Sequence, residues 1–218
     1  MMVLMISCSD ELVNNPLQPG YDFFPLTAGF FKVYQVEEVD ILGFVPDTSR
    51  YFLMEEITDS LISEDGSKKY FLTRSKSIDS VKWTIDSVWT KQIIGQSAIV
   101  TENNVPYVKL TFPVEAGKIW NGNAYNTREE QDYTFVSMNS TSIADSTFSS
   151  QDLIQVVIAD VEKNLVNQDQ RTEIYVKGIG LVAKDYTTLN FCTVNCDELG
   201  ATESGRVLKQ ELIAYGQH

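Results

Sequence analysis

This chain of 218 residues has a single histidine, His218, and it is the last residue. Ser-His-Asp and Cys-His chemistry needs a positioned imidazole, and a chain terminus is normally mobile, so those mechanisms are not expected. Carboxylates are the remaining route to acid–base work. Asp160 and Glu162 share a face if their segment is a strand, ~7 Å apart by strand rise, a spacing that would serve glycoside hydrolysis or hold calcium. A solvated strand face explains them at least as well. The neighbours Glu37-Glu38 and Glu55-Glu56 point to opposite faces and cannot meet on one bond. Trp120, beside Asn121-Gly122-Asn123, reads either as an exposed indole that stacks on sugar or as a hydrophobic plug at a sheet end. No phosphate-cradling loop, zinc spacing or EF-hand pattern occurs, so neither metal nor cofactor is expected.

The totals narrow the partners. A net charge of −13 opposes nucleic acid and a polybasic membrane contact alike. No apolar run reaches the ~18 to 20 residues that span a bilayer. The first seven residues, Met1 to Ser7, are apolar and end in a small residue before Cys8. They resemble the end of a lipoprotein signal peptide with Ile6-Ser7-Cys8 as its lipobox, although Met5 stands where Leu is usual and no basic segment precedes. The expectation is a start upstream of Met1, a signal ending at residue 7, and a lipidated Cys8. Residues 8–20, with two Asn, two Pro, a Gln and a Gly after the acidic Asp10-Glu11, suit a flexible, disordered tether. With Cys8 assigned to lipid, Cys192 and Cys196 predict a disulfide that clips a local loop. Free thiols are the alternative, and a metal site lacks further ligands.

Residues 21–218 read as one domain able to bury a good core. Strand alternation dominates from Phe30 onward, helped by 10 Tyr, 11 Phe and 3 Trp. Residues 81–90 place Val81, Trp83, Ile85, Ser87 and Trp89 on one face; in 107–112, Val108, Leu110 and Phe112 oppose Tyr107, Lys109 and Thr111. Further strands are expected over 30–39, 50–57, 69–76, 93–101, 132–138, 153–161, 172–183, 186–191 and 206–215. Glu64-Asp65-Gly66-Ser67 is a hairpin candidate, Asn121-Gly122-Asn123 and Lys184-Asp185 are turn candidates, and Gly178 and Gly180 inside a strand-like segment suggest a bulge or bend. The predicted fold is all-β: one antiparallel sheet of roughly ten strands, a curled sheet or incomplete barrel.

Several stretches together resemble a family of Bacteroidota lipoproteins of unknown function. They are Phe24-Pro25-Leu26-Thr27-Ala28-Gly29 with Val33-Tyr34, Phe112-Pro113-Val114 with Gly117-Lys118-Ile119-Trp120-Asn121-Gly122-Asn123, Glu173 to Val182, and Glu211 to Tyr215. The resemblance implies an exported, lipid-anchored outer-membrane protein and carries no catalytic residues over. The acidic cluster behind Cys8 resembles that group's surface-export signal and favours the cell surface, with the periplasmic face as the alternative. Four Asp-Ser-x triplets resemble its O-glycosylation motif where composition gives about one. Ser60 and Ser146 are the candidates because they fall in expected loops; ordinary Ser-rich turn chemistry is the alternative. The functional expectation is a non-enzymatic binding or structural module for lipid, glycan or protein. A carboxylate hydrolase and a subunit of a surface complex are the alternatives.

Overall fold

The computed structural model describes residues 20–218 apart from 65, 144–145 and 150–151. The expected signal segment, Cys8 and the expected tether up to residue 19 therefore lie outside the described residues. Among the described residues, fourteen strands follow a short 3-10 turn, Tyr21–Phe23. They are β1 (Phe30–Leu42), β2 (Val45–Ile62), β3 (Lys68–Ser77), β4 (Thr84–Ile94), β5 (Ser97–Glu102), β6 (Val105–Thr111), β7 (Ile119–Asn121), β8 (Asp132–Val136), β9 (Ser140–Ile143), β10 (Ser146–Ser149), β11 (Leu153–Val161), β12 (Asn167–Val176), β13 (Gly180–Phe191) and β14 (Thr202–Gln217).

Twelve strands form one antiparallel sheet in the order β6-β5-β4-β3-β2-β1-β14-β13-β12-β11-β8-β7, and β9 and β10 form a separate hairpin. The sheet curls until its two edges almost meet, an incomplete barrel as expected. At the seam the backbone N–H of Val108 on β6 donates to the carbonyl of Gly122, just past β7, at 2.9 Å. The indole N–H of Trp120 donates to the Val108 carbonyl at 2.9 Å, and the Asn126 side chain donates to the Pro106 carbonyl at 2.8 Å. Near closure leaves little unpaired strand edge.

Turn chemistry accounts for the hairpins. Asn103 and Asn104 both take positive φ, 48° and 67°, the twist that joins two antiparallel strands with a two-residue loop. Residues 20–29 close one end, here the base. Phe23 and Phe24 are buried there, and the ring of Tyr21 packs 4.2 Å from that of Phe112. The main core fills the barrel around Ile57, Trp89, Leu110, Phe112, Phe135 and Ile158; a smaller cluster gathers around Tyr34, Leu53 and Leu212.

Several boundaries differ from the sequence reading. Residues 93–101 are the β4–β5 hairpin, with Gly95 at positive φ in its turn. Lys184-Asp185 lies inside β13, and the turn falls instead at residues 177–179, so 172–183 spans two strands. β7, β9 and β10 were not foreseen. The proposed apolar face of 81–90 does not hold: Val81 and Ile85 are exposed while Trp89 is buried. The register between β3 and β4 slips at Asp86, and one extra residue reverses which side chains face the core.

Candidate functional site

The barrel interior is charged. On β12 and β13, Glu173 and Lys184 are direct cross-strand partners on the inner face. Lys109 joins them from the far side because it is the extra residue of a bulge in β6: Leu110 pairs with Ala98 and Val108 with Ile99, which leaves Lys109 unpaired. Its Nζ lies 3.0 Å from Glu173 Oε1 and 3.0 Å from Glu102 Oε1, and Lys184 Nζ is 3.5 Å from Glu173. The hydroxyls of Tyr175 and Tyr186 both donate to the Glu173 carboxylate. Burial alone would raise the Glu173 carboxyl, but Lys109, Lys184 and the two hydroxyls outweigh it and hold it far below the usual range. Burial opposes charge on Lys109 too, and Glu102 with Glu173 outweighs it, so its ammonium is held charged.

A second group lies beside the first. Arg74 Nε is 3.1 Å from Glu55, its guanidinium stacks 3.6 Å over the Trp89 ring, and Lys32 Nζ stands 4.0 Å from Glu55. Lys32 also donates to the Leu181 carbonyl at 3.2 Å. Burial lowers Lys32 to about 8 despite Glu55, with Lys184 adding repulsion. Lys91, on the inner face of β4, makes no ion pair among the described residues. It donates to the Pro25 carbonyl at 3.1 Å and sits 4.3 Å over the Phe24 ring. Burial, then repulsion from Lys32, lowers it to about 7. Lys32, Arg74, Lys91, Lys109 and Lys184 thus face Glu55, Glu102 and Glu173, an excess of basic groups inside an acidic protein.

Three cavities meet at this cluster, and Glu102 lines all of them. The largest, about 680 Å³, opens away from the base beside the seam. Its walls carry the rings of Tyr107, Tyr133 and Tyr186 together with Asn123, Arg128 and Arg171. The loop between β7 and β8 shapes its rim. Asn121 Oδ1 accepts from the backbone N–H groups of Asn123 (2.8 Å) and Gln131 (3.2 Å), so a side chain holds both ends of that loop. Arg171 is clamped by Asp169 at 2.7 and 2.9 Å and donates to Gln131 at 3.2 Å. A second cavity of about 330 Å³ is lined by Arg74, Lys184, Tyr186 and Gln210, whose buried Nε2 has no hydrogen-bond partner among the described residues. The third, about 40 Å³, is enclosed by Lys32, Lys91, Lys109 and Lys184 with Glu55 and Trp89.

The residues singled out from sequence fare unevenly. Trp120 is buried, 4.4 Å from the Phe135 ring, so the exposed sugar-stacking indole is corrected to a plug at the seam. Asp160 and Glu162 are both exposed, and Glu162 lies beyond the end of β11, so they do not share a strand face. Among the described residues no cluster could hold a metal ion. Cys192 and Cys196 are bonded, with Sγ atoms 2.03 Å apart, and clip the loop before β14. Ser60 lies in β2 opposite Tyr70 rather than in a loop; Ser146 lies in β10, also a strand, and its side chain is outside the described residues. His218 is fastened rather than mobile: its N–H donates to the Gly29 carbonyl at 3.1 Å and its ring stacks 4.7 Å from Phe31.

The lysine cluster was missed. A signal for part of it existed, since Lys32 shares strand parity with Tyr34 and Val36, and Lys91 with Trp89 and Ile93. Lys109 had none, because alternation put it opposite Val108 and Leu110, and both faces of β6 turn out buried.

No family model matches this chain, and no curated protein matches it. Among solved structures, a Bacteroides fragilis protein classed as exported, with a YmcC-like fold, aligns at a TM-score of 0.48 and 10% identity, covering 89% of this chain and 99% of that one.

Proposed function

We infer that this chain is an exported, lipid-anchored envelope protein that binds a polar ligand, a short oligosaccharide, in the mouth of its barrel and performs no chemistry on it. The observation that carries the reading is the cavity of about 680 Å³ with three tyrosine rings among amide, guanidinium and carboxylate groups. Its volume falls within the range of ligand sites, and aromatic faces beside fixed polar groups suit the apolar faces and hydroxyls of sugar rings. An acyl chain fits poorly, because the floor of the cavity is the Lys109–Glu102 pair. A hydrolase fits poorly as well. The interior carboxylates Glu55, Glu102 and Glu173 are each committed to cations, Glu129 and Glu130 line the cavity from exposed positions, and a general acid needs a carboxyl that keeps its proton near neutral pH.

The anchor would be Cys8, and palmitate labelling of the full-length product should vanish in Cys8→Ala. For the ligand, titration calorimetry with chitin, dextran and pectin fragments of three to five sugars should give one saturable site. Tyr107→Ala and Arg128→Ala should each weaken it by roughly tenfold, about 1.4 kcal/mol. Tight binding of palmitate instead, with no sugar bound, would replace this reading by lipid carriage. Product release from any fragment would overturn the non-enzymatic half.

A further inference from the structure

We propose that the small inner cavity beneath the mouth is a binding site for one halide-sized anion, held by Lys91 and Lys32. The charges first. Lys109 is matched by Glu102 and Glu173, Lys184 by Glu173, and Arg74 by Glu55. Lys32 shares Glu55 at 4.0 Å, a carboxylate already engaged by Arg74. Among the described residues Lys91 contacts only a carbonyl and a ring face, and it feels the Glu55 charge without pairing with it. Neither contact supplies a full negative charge, and a buried ammonium without one is strongly disfavoured.

The space comes second. The cavity of about 40 Å³ is bounded by both of these lysines, together with Phe24, Leu72, Trp89, Val100, Tyr175 and Leu181 on its apolar sides. One water needs ~10–15 Å³ measured in this way, so the cavity has room for a monatomic anion with about two waters and none for an oligosaccharide. Its lining also includes Glu55 and Glu102, whose charges are offset by Arg74 and Lys109. What remains facing the space is positive. Within a chain of net charge −13 an anion would not gather there through the overall field, so the site has to be local.

The test is crystallographic and uses bromide as the probe. Protein purified and crystallised in sodium bromide at pH 6 should show one buried anomalous peak beside Lys91 Nζ. In solution, replacing gluconate by bromide at constant ionic strength should raise the thermal midpoint by roughly 3 °C or more. Lys91→Met should lose both effects, and Lys91→Gln serves if the first variant fails to fold. Peaks confined to the surface at pH 6, or an equal midpoint rise in both variants, would overturn the proposal. Oligosaccharide titrations in gluconate and in bromide then separate this site from the mouth, since either can fail without the other.

Discussion

Glu173 is the most consequential side chain in the molecule, fully buried and met by two ammonium groups and two hydroxyls. A buried ion pair adds little net stability over an apolar filling, yet removing one partner leaves the others uncompensated. Glu173→Gln should therefore cost ~3 kcal/mol or more in urea denaturation; a loss below ~1 kcal/mol would mean that the lysines release their protons instead. Lys91 gives a pH signature. Its folded value near 7 lies below the usual 10.5, so between those values the unfolded chain holds a proton that the folded chain has released. Stability in halide-free buffer should rise with pH across that window, by up to about 1.4 kcal/mol per unit, with Lys32, near 8, contributing in the same direction. Below pH 7 both states carry the proton and this contribution levels off. Urea midpoints at pH 6.5 and 9 should differ clearly in the wild type and much less in Lys91→Met.

The elements explain how such residues come to face inward. Strand alternation alone would leave Lys109 on a polar outer face, and the bulge in β6 turns it toward Glu173. At the seam, Trp120 adds a buried ring and a hydrogen bond to the backbone contact. Trp120→Ala removes both a buried indole and the hydrogen bond to Val108, and should cost about 3 kcal/mol. It should also speed hydrogen exchange of the Val108 amide, while Trp120→Phe keeps the ring packing and should lose only about 1 kcal/mol. Unchanged exchange in Trp120→Ala would show that the backbone bond to Gly122 closes the seam unaided. In β14, Gly205 has φ 140°, and a Cβ there would stand 2.2 Å from the Thr188 carbonyl oxygen. Gly205→Ala should accordingly lower the thermal midpoint through local displacement of β13.

For the molecule taken entire, closure comes from the long sheet. The Cys192–Cys196 bond spans only four positions, so reducing it should cost at most ~2 kcal/mol and leave the barrel spectrum by circular dichroism intact. Larger losses would mean that the loop before β14 also braces the sheet. The all-β class, the antiparallel pairing and most strand centres were legible in the residues, because a period of two and turn chemistry are local properties. The same locality explains the misses. Lys184-Asp185 resembles a turn pair, yet the hydrogen bonds of β13 to β12 and β14 override that preference. For Trp120 the residues left two readings open, an exposed indole and a plug at a sheet end, and the approach of β6 decides for the plug. What the sequence determined by itself is the all-β class and most of the strand centres, because alternation and turn chemistry are local. What the tertiary structure decided is which side of each strand faces the interior: Lys109 and Glu173, 64 positions apart, meet only once bulges have shifted the parity and the sheet has curled round.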